Sequence, residues 1–165
     1  QHTWKKLSML LKKINTVVFL DNLKQNIIKN IAQELDCGFD CYLNVKTNEV
    51  IAIPGISYIS DLDDFEEAFE EDFTRIENNK TDFIKFDVLE SYESFKIMEL
   101  FVHQLTDQNL KAELGNVLEN KKPFQNFKNK IDQSHFRQDW FDFKQREIEK
   151  KVATELKISK ARAQK

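Results

Sequence analysis

The sequence predicts a single α+β domain, in which a small antiparallel sheet packs with helices and a C-terminal helical subdomain follows. Two extended runs and a third alternating run all fall before residue 90, and the apolar patterns after it repeat at helical spacing. Three Gly and two Pro in 165 residues give few turn signals, which favours long helices over a many-stranded sandwich. An apolar fraction of 41% and a charged fraction of 32% are typical of a globular chain.

The domain is predicted to span residues 21–158, with a helix-and-sheet part at 21–90 and a helical part at 91–158. Residues 1–20 are predicted to be an N-terminal extension, whose first residues are candidates for a cloning remnant. Residues 159–165 are expected to fray as a tail.

The first helix is predicted over residues 22–36, with Asp21 or Asn22 as its cap. Gly38 follows as a left-handed stop, a conformation that glycine adopts without steric cost. The apolar residues of one face recur every three or four positions: Leu23, Ile27, Ile28, Ile31 and Leu35.

Two extended runs come next, at Phe39–Val45 and Glu49–Ile53, and the short polar loop between them predicts a β-hairpin. Pro54 and Gly55 are expected to end its second strand. A third strand is predicted over Asp82–Val88, where apolar and polar residues alternate. We expect it to lie beside the hairpin.

Residues 61–77 predict an amphipathic helix with an acidic outer face. They contain nine acids and one Arg, while the apolar residues recur at helical spacing: Leu62, Phe65, Phe69, Phe73 and Ile76. A calcium loop starting at Asp61 would need Gly at its sixth position, which Glu66 occupies. Docking of a basic partner and loose binding of divalent cations stay open for this helix.

Four helices are predicted after residue 90. Ser91 is predicted to cap the first of them, and Thr106 or Asp107 to start the second. Pro123 suits the first position of the third helix, where its missing N–H costs nothing. Ser134 is predicted to cap the last and longest helix.

Cys37 and Cys41 are the only cysteines, and the chain has three histidines. The cysteine spacing does not fit a zinc knuckle, and no second pair completes four ligands. We interpret both thiols as small buried hydrophobes of a cytoplasmic protein.

The sequence contains no nucleophile elbow, phosphate-binding glycine loop or dinucleotide fingerprint. We therefore predict no catalytic residue, no metal site and no cofactor, and we favour a non-enzyme. No apolar run approaches the roughly 20 residues that span a bilayer, so no membrane partner is expected.

The C-terminal part of the chain is basic and the remainder is acidic, although the net charge is only −3. Residues 121–165 contain 13 Lys/Arg and 6 Asp/Glu, so residues 1–120 contain 12 and 22. Such asymmetry attracts a negatively charged partner to the C-terminal end, or lets two faces of one domain attract each other.

Basic and aromatic side chains interleave within residues 121–150. Cations placed this way could neutralise phosphates while an exposed ring stacks on a base. We take five basic residues of this segment as candidate partner-binding residues: Lys121, Lys122, Lys128, Arg137 and Lys144.

The rings of the same segment also suit a core, because Phe124, Phe127 and Ile131 share one helical face. Arg137 lies three residues before Trp140 and could stack on its indole. We predict that Phe124, Phe127 and Trp140 are mostly buried, at the junction between the third and the last of the C-terminal helices.

Three functions stay open. The leading hypothesis is a non-catalytic cytoplasmic interaction or regulatory module with a protein partner, because catalytic motifs are missing while the acidic helix and the segment 121–150 stand out. The runner-up is nucleic-acid binding through residues 121–150. The third is a hydrolase that uses paired carboxylates, since acids are abundant. The oligomeric state also stays open.

A set of short motifs runs through residues 23–157 in this order: Tyr42-Leu43-Asn44, Thr47, Glu49-Val50, Ser91-Tyr92-Glu93, Phe95, Met98-Glu99, Phe101-Val102, Lys122-Pro123-Phe124, Phe127-Lys128, Arg137 and Trp140-Phe141. In these motifs the chain resembles uncharacterised protein family 0158, a family of small bacterial proteins. The family has Gly where this chain has Asn120, the next-best residue for a left-handed helix stop, so the turn is expected to survive. The resemblance implies no established activity, cofactor or catalytic residue.

Overall fold

The computed structural model describes residues 2–55 and 62–163, with side chains described for residues 6–55 and 64–162. The elements of the described residues follow one another in this order: α1 (His2–Asp36), β1 (Phe39–Asn44), β2 (Val50–Pro54), α2 (Leu62–Asn78), a 3₁₀ turn (Lys80–Asp82), β3 (Phe83–Phe86), α3 (Ser91–Gln104), α4 (Gln108–Glu119), α5 (Pro123–Asp132) and α6 (Arg137–Ala163). The predicted α+β class, with a helical C-terminal part, is confirmed.

The first helix is much longer than the sequence predicted. It begins at His2, whereas we expected Asp21 or Asn22 to cap it. Because no Gly or Pro precedes Gly38, nothing interrupts the helix at residue 21. Its end was predicted correctly: Gly38 has φ of 92°, and its N–H donates to the Leu35 carbonyl at 3.1 Å.

The three strands form one antiparallel sheet in the order β2-β1-β3. The predicted hairpin is confirmed, and its loop is closed by two asparagines. The Asn44 Oδ1 accepts hydrogen bonds from the backbone N–H groups of Lys46 (2.9 Å) and Thr47 (3.1 Å). Asn48 takes the left-handed conformation with φ of 63°, which asparagine tolerates better than most residues. The predicted third strand pairs with β1.

The sheet separates two apolar clusters because its side chains alternate between two faces. Cys41, Leu43 and Phe86 point to the main core, where they pack with buried residues of α1, α3 and α6. Ile51 and Ile53 point to the opposite face, where α2 covers them. Four of the five residues predicted to share a face of α2 belong to this second cluster: Phe65, Phe69, Phe73 and Ile76. The side chain of the fifth, Leu62, lies outside the described residues. Asp61, the first residue of the acidic run, lies outside the described residues.

The caps of the C-terminal helices differ in part from the predictions. Glu90, not Ser91, caps α3, because its side chain and that of Glu93 form a reciprocal capping box. Asp107 caps α4 as predicted, accepting from the Leu110 N–H at 2.9 Å. Pro123 is the first residue of α5, which confirms that prediction.

The last helix begins at Arg137, so Ser134 is not its cap. The Ser134 hydroxyl instead donates to the Ile131 carbonyl at 2.8 Å and accepts from the Phe136 N–H at 3.1 Å. It therefore closes the turn between α5 and α6 rather than starting a helix. The far end of α6 reaches Ala163, so the helix continues past Ser159, where we expected fraying.

The two cysteines occupy different environments, and only one is buried as predicted. Cys37 is exposed at the end of α1, whereas Cys41 is buried in β1. Burial, reinforced by the negative charges of Glu34 and Asp40, raises the pKa of the Cys41 thiol to about 12.

We expect one of the two thiols to react with a chromogenic disulfide reagent in the native protein at mildly alkaline pH. Cys41 is both shielded and kept protonated, and the thiolate is the nucleophile, so it should react only on unfolding. Cys37→Ser should remove the fast reaction and leave the slow one. Equal rates for both thiols would contradict the buried position of Cys41.

Candidate functional site

An aromatic groove lies between α3, α5 and α6 and reaches the C-terminal end of α1. It contains a cavity of about 230 Å³. Four aromatic residues line it: Phe124, Phe127, Trp140 and Phe141. Its polar rim is made by five side chains: Asp36, Ser94, Lys128, Asp132 and Lys144. The groove thus brings together much of the segment that the sequence analysis singled out.

The floor of the aromatic groove is part of the main core. Trp140 is 9% exposed and stands edge-on to Phe127 at 4.9 Å and to Phe101 at 5.2 Å between ring centroids. Phe127 and Ile131 are also buried, as the helical spacing within α5 requires. The predicted burial of Phe127 and Trp140 is confirmed.

The prediction that Phe124 is mostly buried is wrong, since 43% of it is exposed. Phe124 lies in the first turn of α5, and its ring contacts Phe95 edge-on at 6.2 Å. Helical spacing places it on the core side of α5. Spacing does not tell how far the covering helices extend, and here they leave the first turn half open. An apolar ring therefore stands at the mouth of the groove.

Three of the five predicted partner-binding residues gather around this groove. Lys128 pairs with Asp132 at 2.5 Å, and Lys144 pairs with Asp36 at 2.8 Å. Arg137 also reaches Asp132, at 3.1 Å. The rim itself therefore has two cations and two carboxylates and is neutral, while Arg137, which does not line the cavity, adds one positive charge beside it.

The cations also stack on rings. The guanidinium of Arg137 lies 4.6 Å from the centroid of Phe141, not on the Trp140 indole as we suggested. The ammonium of Lys144 lies 5.3 Å from Phe141 and 5.9 Å from Trp140. The positive charge is thus held directly over the apolar surface.

The pKa of the Asp132 carboxyl is lowered, chiefly by the hydrogen bond from Lys128; desolvation opposes this, and the bond from Arg137 adds to the lowering. Asp132 is therefore ionised at neutral pH and holds both cations in place. Its i,i+4 spacing from Lys128 was visible in the sequence. Asp36 could not be found that way, because only the fold brings it to Lys144.

The other two predicted residues, Lys121 and Lys122, are exposed in the turn between α4 and α5 and do not line the cavity. Lys122 is the left-handed residue of this turn, with φ of 54°, whereas Asn120 is extended with φ of −108° and ψ of 178°. The expectation that Asn120 forms the left-handed stop is therefore wrong. The chain still turns here, but the left-handed residue is Lys122, two positions after Asn120.

Two observations on the described residues concern metal and acid–base chemistry. They contain no group of three or more His, Cys, Asp or Glu placed to hold a metal ion. Partial burial raises the pKa of the Glu93 carboxyl, but the hydrogen bond and charge of Lys151 and the Glu90 N–H outweigh it, so the pKa is lowered. A general acid needs the opposite shift, so neither Glu93 nor Asp132 suits that role. No described helix is long and apolar enough to cross a membrane.

The chain matches one known protein family. A family model described as Uncharacterised protein family (UPF0158) matches residues 18–162, which include every element except the first part of α1. No curated protein and no solved structure matches the chain.

Proposed function

The chain belongs to the Uncharacterised protein family (UPF0158), whose description states no activity, and we propose that it is a non-catalytic interaction module of the bacterial cytoplasm. In this proposal the aromatic groove takes a segment of a partner protein. The observation that supports it is the half-exposed ring of Phe124 at the mouth of an apolar cavity with a charged rim.

The size of the cavity favours a side chain over a whole small molecule. Ligand pockets usually measure about 300–1,000 Å³, and this one measures about 230 Å³. One large apolar side chain of a partner would fill it and contact Phe124, Trp140 and Phe141. Buried anchors of that kind provide most of the binding energy of protein interfaces.

The charge of the rim favours an acidic segment. When Arg137 is counted with Lys128 and Lys144, the cations outnumber Asp36 and Asp132, and Arg137 and Lys144 lie over the ring of Phe141. An Asp or Glu next to the anchoring side chain would reach Lys128 or Lys144. The proposed ligand is therefore an apolar residue flanked by acids.

The same pairing argues against nucleic acid. Each of these cations already shares a carboxylate at 2.5–3.1 Å; a nucleic-acid strand that uses several phosphates would have to displace several such pairs, whereas one acidic residue of a peptide displaces one. Lys121 and Lys122 are exposed, but they lie in the α4–α5 turn and do not line the groove. The cytoplasmic assignment is supported by two free thiols, which a reducing compartment maintains.

The binding test uses a displayed library of random peptides and the fluorescence of Trp140. A Trp4→Phe background leaves Trp140 as the single tryptophan, and its emission should shift when a selected peptide fills the groove. We expect selected peptides to share an aromatic or long aliphatic residue beside Asp or Glu. Phe124→Ala should weaken their binding at least tenfold, which is about 1.4 kcal/mol.

Tyr92→Ala is the matched control, because Tyr92 is 73% exposed and lies outside the groove; it should leave the affinity unchanged. Peptides that bind Phe124→Ala as tightly as the wild type would refute the groove as the site. Binding of single-stranded RNA or DNA, with a log–log salt slope of about one per phosphate contact and no peptide selected, would favour the nucleic-acid alternative instead.

A further inference from the structure

We infer that residues 6–20 of α1 form a self-association surface whose occupant is the same segment of a second copy of this chain, paired antiparallel. The inference is independent of the aromatic groove, which lies at the other end of α1. The side chains of residues 6–20 are all exposed. Seven of them are aliphatic and half exposed. The seventh is Leu20, and the other six are Leu7, Leu10, Leu11, Ile14, Val17 and Val18.

These six residues form one stripe. They span an arc of roughly 120° when each residue turns the helix by about 100°. A stripe of that width is what a helix normally buries against a neighbour. Its members are 50–58% exposed, so the described residues leave it without such a neighbour.

The stripe repeats the pattern by which the rest of α1 enters the core. Leu7, Ile14, Ile28 and Leu35 fall on one seven-residue repeat, with Asp21 as its only polar member. The two residues that lie three and four positions after each member are also apolar at 10–11, 17–18 and 31–32. At 24–25 they are polar. A seven-residue repeat is the signature of helices that pack side by side.

The half of this repeat nearer the sheet is buried by α6, which runs antiparallel to α1. Lys144 pairs with Asp36 at 2.8 Å, while Ala153, further along α6, lines a cavity with Gln25, further back in α1. Ile28, Ile31, Ala32 and Leu35 are buried there. A helix that covered the exposed half in the same way would run in the same direction as α6. The α1 helix of a second copy runs in that direction when it packs antiparallel to the first α1.

The stripe is also symmetrical about its centre, as a two-fold pair requires. Leu10 and Val18 lie equally far from Ile14, and so do Leu11 and Val17. An antiparallel pair centred on Ile14 therefore places aliphatic side chains opposite one another between Leu10 and Val18, and it places Leu7 opposite Asp21. When the six side chains of the stripe are buried, two copies bring together on the order of 1,000 Å², the size at which specific interfaces begin.

Charge selects the antiparallel direction. Residues 6–20 contain Lys6, Lys12 and Lys13 and no acid, and Asp21 follows directly. A parallel pair would place each Lys level with its own copy and Asp21 level with Asp21. An antiparallel pair brings Asp21 to the end of the partner helix that holds Lys6, and opposite charges then meet at both ends.

The first measurement is the molar mass in solution, by light scattering on a sizing column over micromolar to high micromolar concentrations. We expect the wild type to have twice the mass of one chain. Ile14→Asp should give a monomer, because two carboxylates would meet at the centre of the pair. The control, Thr16→Asp, adds the same charge on the opposite side of α1 and should remain a dimer.

Both variants should keep the wild-type melting temperature at dilutions where the wild type is monomeric, since residues 14 and 16 are exposed. A wild type that stays monomeric at high micromolar concentration overturns the inference. So does a dimer that persists in Ile14→Asp. A monomer that instead binds vesicles of anionic phospholipid through the stripe would overturn it in favour of a membrane surface.

The direction is tested by oxidation in a Cys37→Ser background, where the remaining Cys41 is buried. Ile14→Cys should link two chains, because the two-fold axis brings its thiols together. Thr16→Cys should not link. Leu7→Cys linking as efficiently as Ile14→Cys would show a parallel pair and overturn the antiparallel assignment.

Discussion

Replacing Trp140 by Ala is expected to lower the free energy of unfolding by about 3–5 kcal/mol. The indole is 9% exposed and packs against Phe101 and Phe127, so its removal leaves a cavity where α3, α5 and α6 meet. A loss of that size is a large share of the roughly 5–15 kcal/mol that holds a domain folded. Chemical denaturation monitored by circular dichroism measures it directly.

Two control variants separate this packing effect from surface effects. Lys128→Ala should cost at most about 1 kcal/mol, because its pair with Asp132 is exposed. Phe124→Ala should cost less than Trp140→Ala, since nearly half of Phe124 is already in solvent. If Trp140→Ala unfolded at the wild-type denaturant concentration and lost only partner binding, Trp140 would be a surface residue and the core description would be wrong.

Replacing Phe86 by Ala is expected to have a comparable effect, also about 3–5 kcal/mol. Phe86 is fully buried in β3, opposite Cys41 of β1, at the point where the sheet meets the helices. Its loss would open a void between the two layers that neither a rigid sheet nor α6 can fill completely. Denaturant or thermal unfolding of the variant measures the change.

Tyr92→Ala removes an aromatic ring of similar size a few residues later, at a site that is 73% exposed. It should change the stability by less than about 0.5 kcal/mol. Similar losses for the two variants would show that Phe86 is not the buried contact between sheet and helices.

Trp140 is both a core residue and part of the lining of the aromatic groove, and this matters for interpreting binding experiments. Phe124 and the rim cations can be changed with little effect on folding, whereas Trp140 cannot. A loss of binding in Phe124→Ala or Lys144→Ala therefore reports on the aromatic groove itself. The same loss in Trp140→Ala would report on unfolding as well.

Much of the architecture was predictable because it depends on short-range patterns. Two extended runs around a short polar loop predicted the hairpin, alternation predicted the third strand, and the 3.6-residue repeat predicted α2 and the four C-terminal helices. Gly38, Asp107 and Pro123 were placed correctly because each acts on its own helix end. Ser91 and Ser134 were misplaced because several nearby polar side chains compete for the same backbone groups, and the geometry of the turn decides between them.

The candidate site was predictable only in part. The segment 121–150 was identified from its mixture of rings and cations, and three of its five proposed residues do meet at the aromatic groove. Asp36, which neutralises Lys144, lies 108 positions earlier in the chain, and no local pattern connects the two. The exposure of Phe124 was also missed, because periodicity gives the direction of a side chain and not the length of the helix that covers it.

The sequence by itself thus determined which segments become strands or helices and which face of each is apolar, because both depend on the covalent geometry of neighbouring residues. Only the tertiary structure decided which of these apolar faces become buried. The same seven-residue repeat of α1 is buried at Ile28 and Leu35 and exposed at Leu7 and Ile14, because α6 packs against one half of the helix and not the other. Burial is a property of distant parts of the chain, and its free energy appears only when those parts meet.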